Sequence, residues 1–229
     1  MTAEVEARLG RISIFRRHSG VRSIASLVVT LLMATSVYSL WLEPPPALAS
    51  TSAGFIARYA GASGGRCPTF DPHVTLAGGF VGTEAQAREK SGAIVASLAA
   101  AFGPLRCDAM EVSAGTRFHQ CVYLRVVPTE QLANAHALAA RAFGLEPGNG
   151  GGAPYMPHLS LVYGDLTETE REHARKDAAA ALLGDGDTNA SHAASFAAAE
   201  VSLWRTDVED LSCESWSRVE RYPLERERP

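Results

Sequence analysis

The sequence predicts an α+β fold built by duplication, and three observations carry the prediction. The pattern aromatic-x-Pro-His-aliphatic-hydroxyl-Leu occurs twice, as Phe70-Asp71-Pro72-His73-Val74-Thr75-Leu76 and as Tyr155-Met156-Pro157-His158-Leu159-Ser160-Leu161. Each copy reads as a short strand that leads through a loop into a helix opened by a capping box, Thr83 with Gln86 and then Thr167 with Glu170. A repeated unit of strand, loop, capped helix and strand implies a pseudo-twofold architecture whose equivalent strands meet across one cleft.

The elements follow in chain order. Arginines at 8, 11, 16, 17 and 22 precede an uncharged stretch over 23–42 and then Ala47-Leu48-Ala49, the pattern of a membrane segment, a signal sequence or an organellar transit segment. The stretch also carries hydroxyls such as Thr30, Thr35 and Ser36, and its last part, Val37-Tyr38-Ser39-Leu40-Trp41-Leu42, is aromatic and β-branched enough for a buried strand. Periodicity does not separate helix from strand here. A spanning or anchoring helix, a transit segment and a dispensable extension with an alternative start at Met33 all stay open.

After a connector over 61–65, Pro72 forces extended geometry on its predecessor and introduces the strand His73-Val74-Thr75-Leu76, which Gly78-Gly79 are expected to end. Thr83 caps an Ala-rich helix that stops at Gly103-Pro104. Residues 112–127, with Gly115-Thr116 near the start, read as one half-buried strand. Its alternation sets Phe118, Gln120, Val122 and Leu124 on one face, turns Gln120 toward the cleft and leaves His119 outside the chemistry. Thr129 caps a helix through Phe143, closed by Gly144, and a glycine-rich loop at 148–152 enters the second strand, 158–163. The helix opened by Thr167 runs to about Leu183, strands near 199–205 and 216–222 follow, and the charged tail is solvated.

Composition bounds the function. With 46% hydrophobic and 20% charged residues, 229 residues can bury one sizeable core. A net charge of −4 offers no broad basic face for long nucleic acid, so any polyanion must be small and locally gripped. Cys67, Cys107, Cys121 and Cys213 have no Cys-x-x-Cys spacing and read as free thiols in a reducing compartment. Asn189-Ala190-Ser191 is a glycosylation sequon only in a secreted chain and is read as incidental.

In each motif the histidine and the hydroxyl are two residues apart, so on a strand they share one face while Val74/Leu76 and Leu159/Leu161 face the core. Two such faces related by a pseudo-twofold set His73 and His158 on opposite sides of one point, flanked by Thr75 and Ser160. That suits in-line displacement at phosphorus. One neutral imidazole takes a proton from water, the other, protonated, gives one to the departing oxygen, and the hydroxyls hold the non-bridging oxygens. With ordinary values near 6.5, the pair holds one proton near neutrality without special tuning. A zinc site would need a third ligand, but no His-x-x-x-His spacing exists and His119, His136, His173 and His192 fall on unrelated elements. No metal and no cofactor is expected.

At these residues the sequence resembles the 2H phosphoesterase superfamily, defined by two His-x-Thr/Ser motifs, and within it the cyclic phosphodiesterases of the plant and yeast type. Val37-Tyr38-Ser39-Leu40-Trp41 looks like the family's first strand, Gly115-Thr116 through Gln120-Cys121-Val122 like its central strand, and Arg205-Thr206-Asp207-Val208-Glu209-Asp210 with Trp216 like its closing hairpin. The block from Pro154 to Tyr163 matches the second motif nearly residue for residue. The likeness covers about 37–222, which leaves 1–36 as an N-terminal extension and 223–229 as a tail.

The resemblance implies a bilobal fold, two antiparallel sheets lining a central cleft with helices outside. It implies metal-independent hydrolysis of ADP-ribose 1″,2″-cyclic phosphate to the 1″-phosphate and of nucleoside 2′,3′-cyclic phosphates to 2′-phosphates. His73 and His158 match the catalytic positions with Thr75 and Ser160, Tyr163 matches an aromatic that packs on substrate, and Trp41 a pocket wall. Plant members carry cysteines in the stretch matching 136–144 and at the place of Trp204, where this chain has none, so redox control of the loop before the second motif is not carried over. Signal-peptidase cleavage after Ala49 would remove the first strand and is not expected. A monomeric cytoplasmic enzyme follows, with membrane contact only through the extension. The alternatives are a 2H enzyme processing RNA ends on oligonucleotides, or a nucleotide-binding member without catalysis.

Overall fold

The computed structural model of the chain describes residues 35–148, 153–184 and 194–225. The expectations for residues 1–34, for the loop at 149–152, for the sequon at Asn189 and for the end of the tail lie outside the described residues. Among the described residues no helix is long and apolar enough to cross a membrane.

The strands are β1 (Thr35–Leu42), β2 (Val74–Thr83), β3 (Leu105–Cys107), β4 (Ala109–Ala114), β5 (Val122–Val126), β6 (His158–Val162), β7 (Phe196–Ala198), β8 (Glu200–Arg205) and β9 (Ser217–Pro223). The helices are α1 (Pro46–Ala62), α2 (Glu84–Ala101), α3 (Glu130–Phe143) and α4 (Glu168–Leu183). Both capping boxes form as the sequence predicts, Thr83 with Gln86 and Thr167 with Glu170, and Gly144 ends α3 in the left-handed region at φ 76°.

A seven-stranded sheet runs β4-β5-β6-β2-β1-β8-β9, and β3 pairs with β7 in a small second sheet. Every neighbouring pair is antiparallel. The two sheets expected around the cleft are the two halves of the large one, β4-β5-β6 and β2-β1-β8-β9, joined where Val74 opposes Leu159. The two motif strands therefore lie side by side at the centre. Continuing that register sets His73 toward Ser160 and Thr75 toward His158, which is the pseudo-twofold expressed in the backbone.

One face of the large sheet is core. Leu40, Leu42, Leu76, Leu159, Leu161 and Leu203 are fully buried there, beneath apolar residues of the helices such as Phe55 of α1, Leu98 of α2, Leu132 of α3 and Ala178 of α4. Truncating any one of these leucines to alanine costs about 2–5 kcal/mol. Alternation along β1 sends Tyr38, Leu40 and Leu42 into this core and leaves Val37, Ser39 and Trp41 on the opposite face.

Three local expectations are corrected, and one helix appears that the sequence reading did not assign. Gly78-Gly79 do not end β2, which continues to Thr83; they form a bulge against Tyr38 and Ser39, with Gly79 at φ 96° and a Cβ on Gly78 meeting the Ser39 hydroxyl at 2.9 Å. Residues 112–127 are a hairpin of β4 and β5 whose connection contains a 3-10 turn, Phe118–Gln120. Its root is the bond from the Gly115 N–H to the Cys121 carbonyl at 3.0 Å. The segment after Pro45 forms α1, with proline pre-set for the first helical turn. The tail begins later than 223: β9 ends at Pro223, and Leu224 is fully buried with its N–H on the Ala199 carbonyl.

Candidate active site

A cleft of about 430 Å³ opens on the face of the sheet opposite the helical core. Of the predicted residues, Trp41, His73, Thr75, His158 and Tyr163 line it. Ser160 lies just behind, buried, with its hydroxyl directed to the His119 carbonyl at 3.4 Å. Gln120 lines the cleft as expected.

Both histidines are held by the same local device. The His73 Nδ1 lies 2.6 Å from the Asp71 carbonyl and the His158 Nδ1 lies 2.9 Å from the Met156 carbonyl, in each case across the motif proline. A carbonyl only accepts, so each ring carries its proton on Nδ1 and leaves Nε2 for the cleft. Their surroundings differ. His73 stacks on Trp41 with ring centroids 3.5 Å apart and planes 4° from parallel, and Trp41 stacks in turn on Trp204 at 4.2 Å. His158 is half-buried and meets the edge of Tyr123 at 5.2 Å.

Burial pushes His73 down to about 3, opposed by the bond to the Asp71 carbonyl and reinforced by the neighbouring His158. Burial also lowers His158, against the Met156 carbonyl. The expectation of an untuned pair near 6.5 is thus corrected: by themselves both rings are neutral at neutral pH, and an anion placed between them is what would charge one of them.

The sequence reading missed four contributors. His119 lines the cleft, stacked on Trp216 at 6.0 Å and edge-on to Tyr163 at 4.9 Å, because the 3-10 turn breaks the alternation that would have turned it away. Burial lowers it as well. Trp216 brings a further aromatic wall, Trp204 backs Trp41 from behind, and Arg117 lines the mouth. The Gly115-Thr116 signal could have found the turn, since a Cβ on Gly115 would meet the Gln120 carbonyl at 2.5 Å. Tyr163 stacks on Phe70 at 3.8 Å, and burial raises its hydroxyl.

His136 serves the fold, its Nδ1–H on the Leu76 carbonyl at 2.7 Å and its Nε2 accepting from the Gly148 N–H. His173 is exposed on α4, 3.7 Å from Asp177, and His192 falls outside the described residues. Among the described residues, no three His, Cys, Asp or Glu side chains converge as metal ligands, and the four cysteines are free and buried. Among the described residues no carboxylate lines the cleft, and the arginine and histidines that do are Arg117, His73, His119 and His158. The arrangement offers two imidazole Nε2 atoms, a hydroxyl and a cation within aromatic walls, which suits a small phosphate ester.

A family model described as the 2′-5′ RNA ligase superfamily matches residues 44–210. A cyclic phosphodiesterase of Arabidopsis thaliana is 29% identical over 187 residues, covering 80% of this chain and 92% of the relative. Among solved structures, E. coli LigT complexed with 3′-AMP has a TM-score of 0.51 at 14% identity, over 83% of this chain and 99% of the other. E. coli LigT complexed with NADP+ has a TM-score of 0.50 at 13% identity, over 83% and 98%. These two likenesses bear on the fold, which is the α+β fold expected from the sequence.

Proposed function

We propose that this chain, which belongs to the 2′-5′ RNA ligase superfamily, is a phosphodiesterase that opens small cyclic phosphates by two-histidine acid–base hydrolysis without a metal. The carrying observation is the matched presentation of His73 and His158, each with Nδ1 tied to the carbonyl two residues upstream and Nε2 free on one face of the sheet. The name of the Arabidopsis relative and the nucleotides held by the LigT structures support the same substrate class. We assign ADP-ribose 1″,2″-cyclic phosphate and nucleoside 2′,3′-cyclic phosphates as substrates.

In the proposed reaction a water oxygen attacks phosphorus while its proton passes to the neutral imidazole. The bond to the departing ring oxygen breaks as the second, protonated imidazole donates to that oxygen. The anionic phosphate between the rings provides the charge that raises one of them into its protonated form. Thr75 holds a non-bridging oxygen, and Ser160 reaches another by giving up its long bond to the His119 carbonyl. Trp41 stacks on His73 and fixes its plane, and Tyr163 with Trp216 forms the wall against which the nucleoside packs. The acidic chain, and a cleft to which the described residues bring one arginine, favour small substrates over oligonucleotides.

The test is hydrolysis of 2′,3′-cyclic AMP and ADP-ribose 1″,2″-cyclic phosphate in EDTA. Retained turnover that His73→Ala and His158→Ala each abolish is the expected result. Loss in EDTA would sink the metal-free route, and turnover surviving both substitutions would sink the site. Because both rings lie below their ordinary value in the free protein, kcat/KM should peak below pH 6.5. It should fall toward acid as the base gains its proton and toward neutrality as the acid loses its own.

A further inference from the structure

We propose that Arg117 selects substrates that carry a second phosphate group beyond the one being opened, so that the cleft takes cyclic phosphates bearing a 5′-phosphate or diphosphate in preference to the bare nucleoside. The inference rests on the cyclic phosphodiesterase reading above and names the part of the ligand that reading leaves unassigned.

Charge comes first. Arg117 is the only arginine or lysine lining the cleft, and no Asp or Glu lines it among the described residues. Its guanidinium makes no hydrogen bond or ion pair with another described residue. Several other arginines are engaged by carboxylates: Arg88 by Glu84 and Glu220, Arg125 by Glu111, Arg175 by Glu172, Arg205 by Glu84. A guanidinium beside a cavity with its planar fork of donors unspent is suited to a phosphate, which accepts from two of them at once.

Position says which phosphate. His73 is buried at the floor, with Ser160 just behind the cleft, where the reacting phosphate would sit, whereas Arg117 is exposed at the mouth. Its backbone is fixed: the Arg117 carbonyl accepts from the Gln120 N–H at 2.9 Å, the Phe118 carbonyl from the Gly164 N–H at 3.0 Å, and the Gly115 N–H closes the turn on Cys121. The guanidinium therefore swings over the mouth from a rigid root. A ligand whose cyclic phosphate lies between the histidines and whose nucleoside packs on Tyr163 and Trp216 must send its remaining groups past this loop. The volume of about 430 Å³ exceeds what a phosphate on a ribose needs and falls in the range of whole small-molecule ligands.

The experiment compares two ligands that differ only in a 5′-phosphate, adenosine 2′-monophosphate and adenosine 2′,5′-bisphosphate, by calorimetry on the full chain, wild type and Arg117→Gln. Wild type should prefer the bisphosphate by about tenfold to a hundredfold, and the preference should collapse toward unity in Arg117→Gln while Arg117→Lys keeps part of it. Equal weakening of both ligands would place Arg117 on the reacting phosphate and overturn the proposal, as would a wild type with no preference or a preference that survives Arg117→Gln. Turnover of 2′,3′-cyclic AMP, measured alongside, separates the two readings. No hydrolysis with an intact binding preference would fail the proposed activity and keep the phosphate site.

Discussion

His73 and His158 are presented by one device, a proline followed by a ring whose Nδ1–H returns to the carbonyl two residues back, yet they stand in unlike settings. His73 is 4% exposed and lies against an indole, whereas His158 is half-buried with the edge of a phenol beside it. The motif, seven residues long, sets the orientation of each ring. Its electrostatics come from elsewhere in the chain, Trp41 from β1 and, behind it, Trp204 from β8 with the Arg218 guanidinium 5.4 Å from that indole. Duplication therefore copied the geometry and left the tuning to unrelated neighbours.

That asymmetry can be broken experimentally. The largest effect is on rate: His73→Ala and His158→Ala should each lower kcat/KM by about 10²–10⁴. Only His73→Ala should also lower Tm clearly, since it uncovers one face of Trp41; equal shifts in a thermal scan would erase the distinction between the arms. Next comes Trp41→Ala, which should destabilise by about 3–5 kcal/mol in urea titration, with Tyr123→Ala, the corresponding change beside His158, costing less than half as much.

A smaller effect lies in the acid range. His73 titrates near 6.5 when unfolded and at about 3 when folded, so between those values the unfolded chain binds the extra proton and stability falls as pH falls; above 6.5 the group contributes nothing. Urea titrations from pH 7 to 4 should show a shallower decline for His73→Gln than for wild type, and His158→Gln should flatten it less. The smallest difference concerns the hydroxyls. Thr75→Val should slow kcat by about tenfold or more, whereas Ser160→Ala should cost less, because the Ser160 hydroxyl must first leave the His119 carbonyl; rates for the two variants on one substrate decide it.

What was legible in the sequence was local. The Thr83–Gln86 and Thr167–Glu170 boxes and the left-handed Gly144 are chemistry within a few residues, and each formed as read. The faces of the two motifs followed from two-residue alternation, which is why Val74, Leu76, Leu159 and Leu161 were placed correctly in the core. Alternation failed where the backbone stopped being extended: at the Phe118–Gln120 turn, which returned His119 to the cleft, and at the bulge of Gly78 and Gly79, read as a stop. The strands β3 and β7, three residues each, are too short to carry a pattern. Helix α1 has no side-chain cap and owes its place to Leu48 and Phe55 packing into the core beneath the sheet. The tryptophan column is illegible in any window, being assembled from positions 41 and 204 by the pairing of β1 with β8.

The single pairing of Val74 with Leu159 has a mechanical meaning. The gap between the imidazoles belongs to neither half of the molecule; like the span of a caliper, it is set at the pivot. Leu159→Ala, on the side of the sheet away from the cleft, should leave both rings chemically intact and still lower kcat, by letting the jaws drift from the width of a phosphate. An unaltered kcat in a folded Leu159→Ala protein would show instead that the jaws are braced by the walls of the cleft.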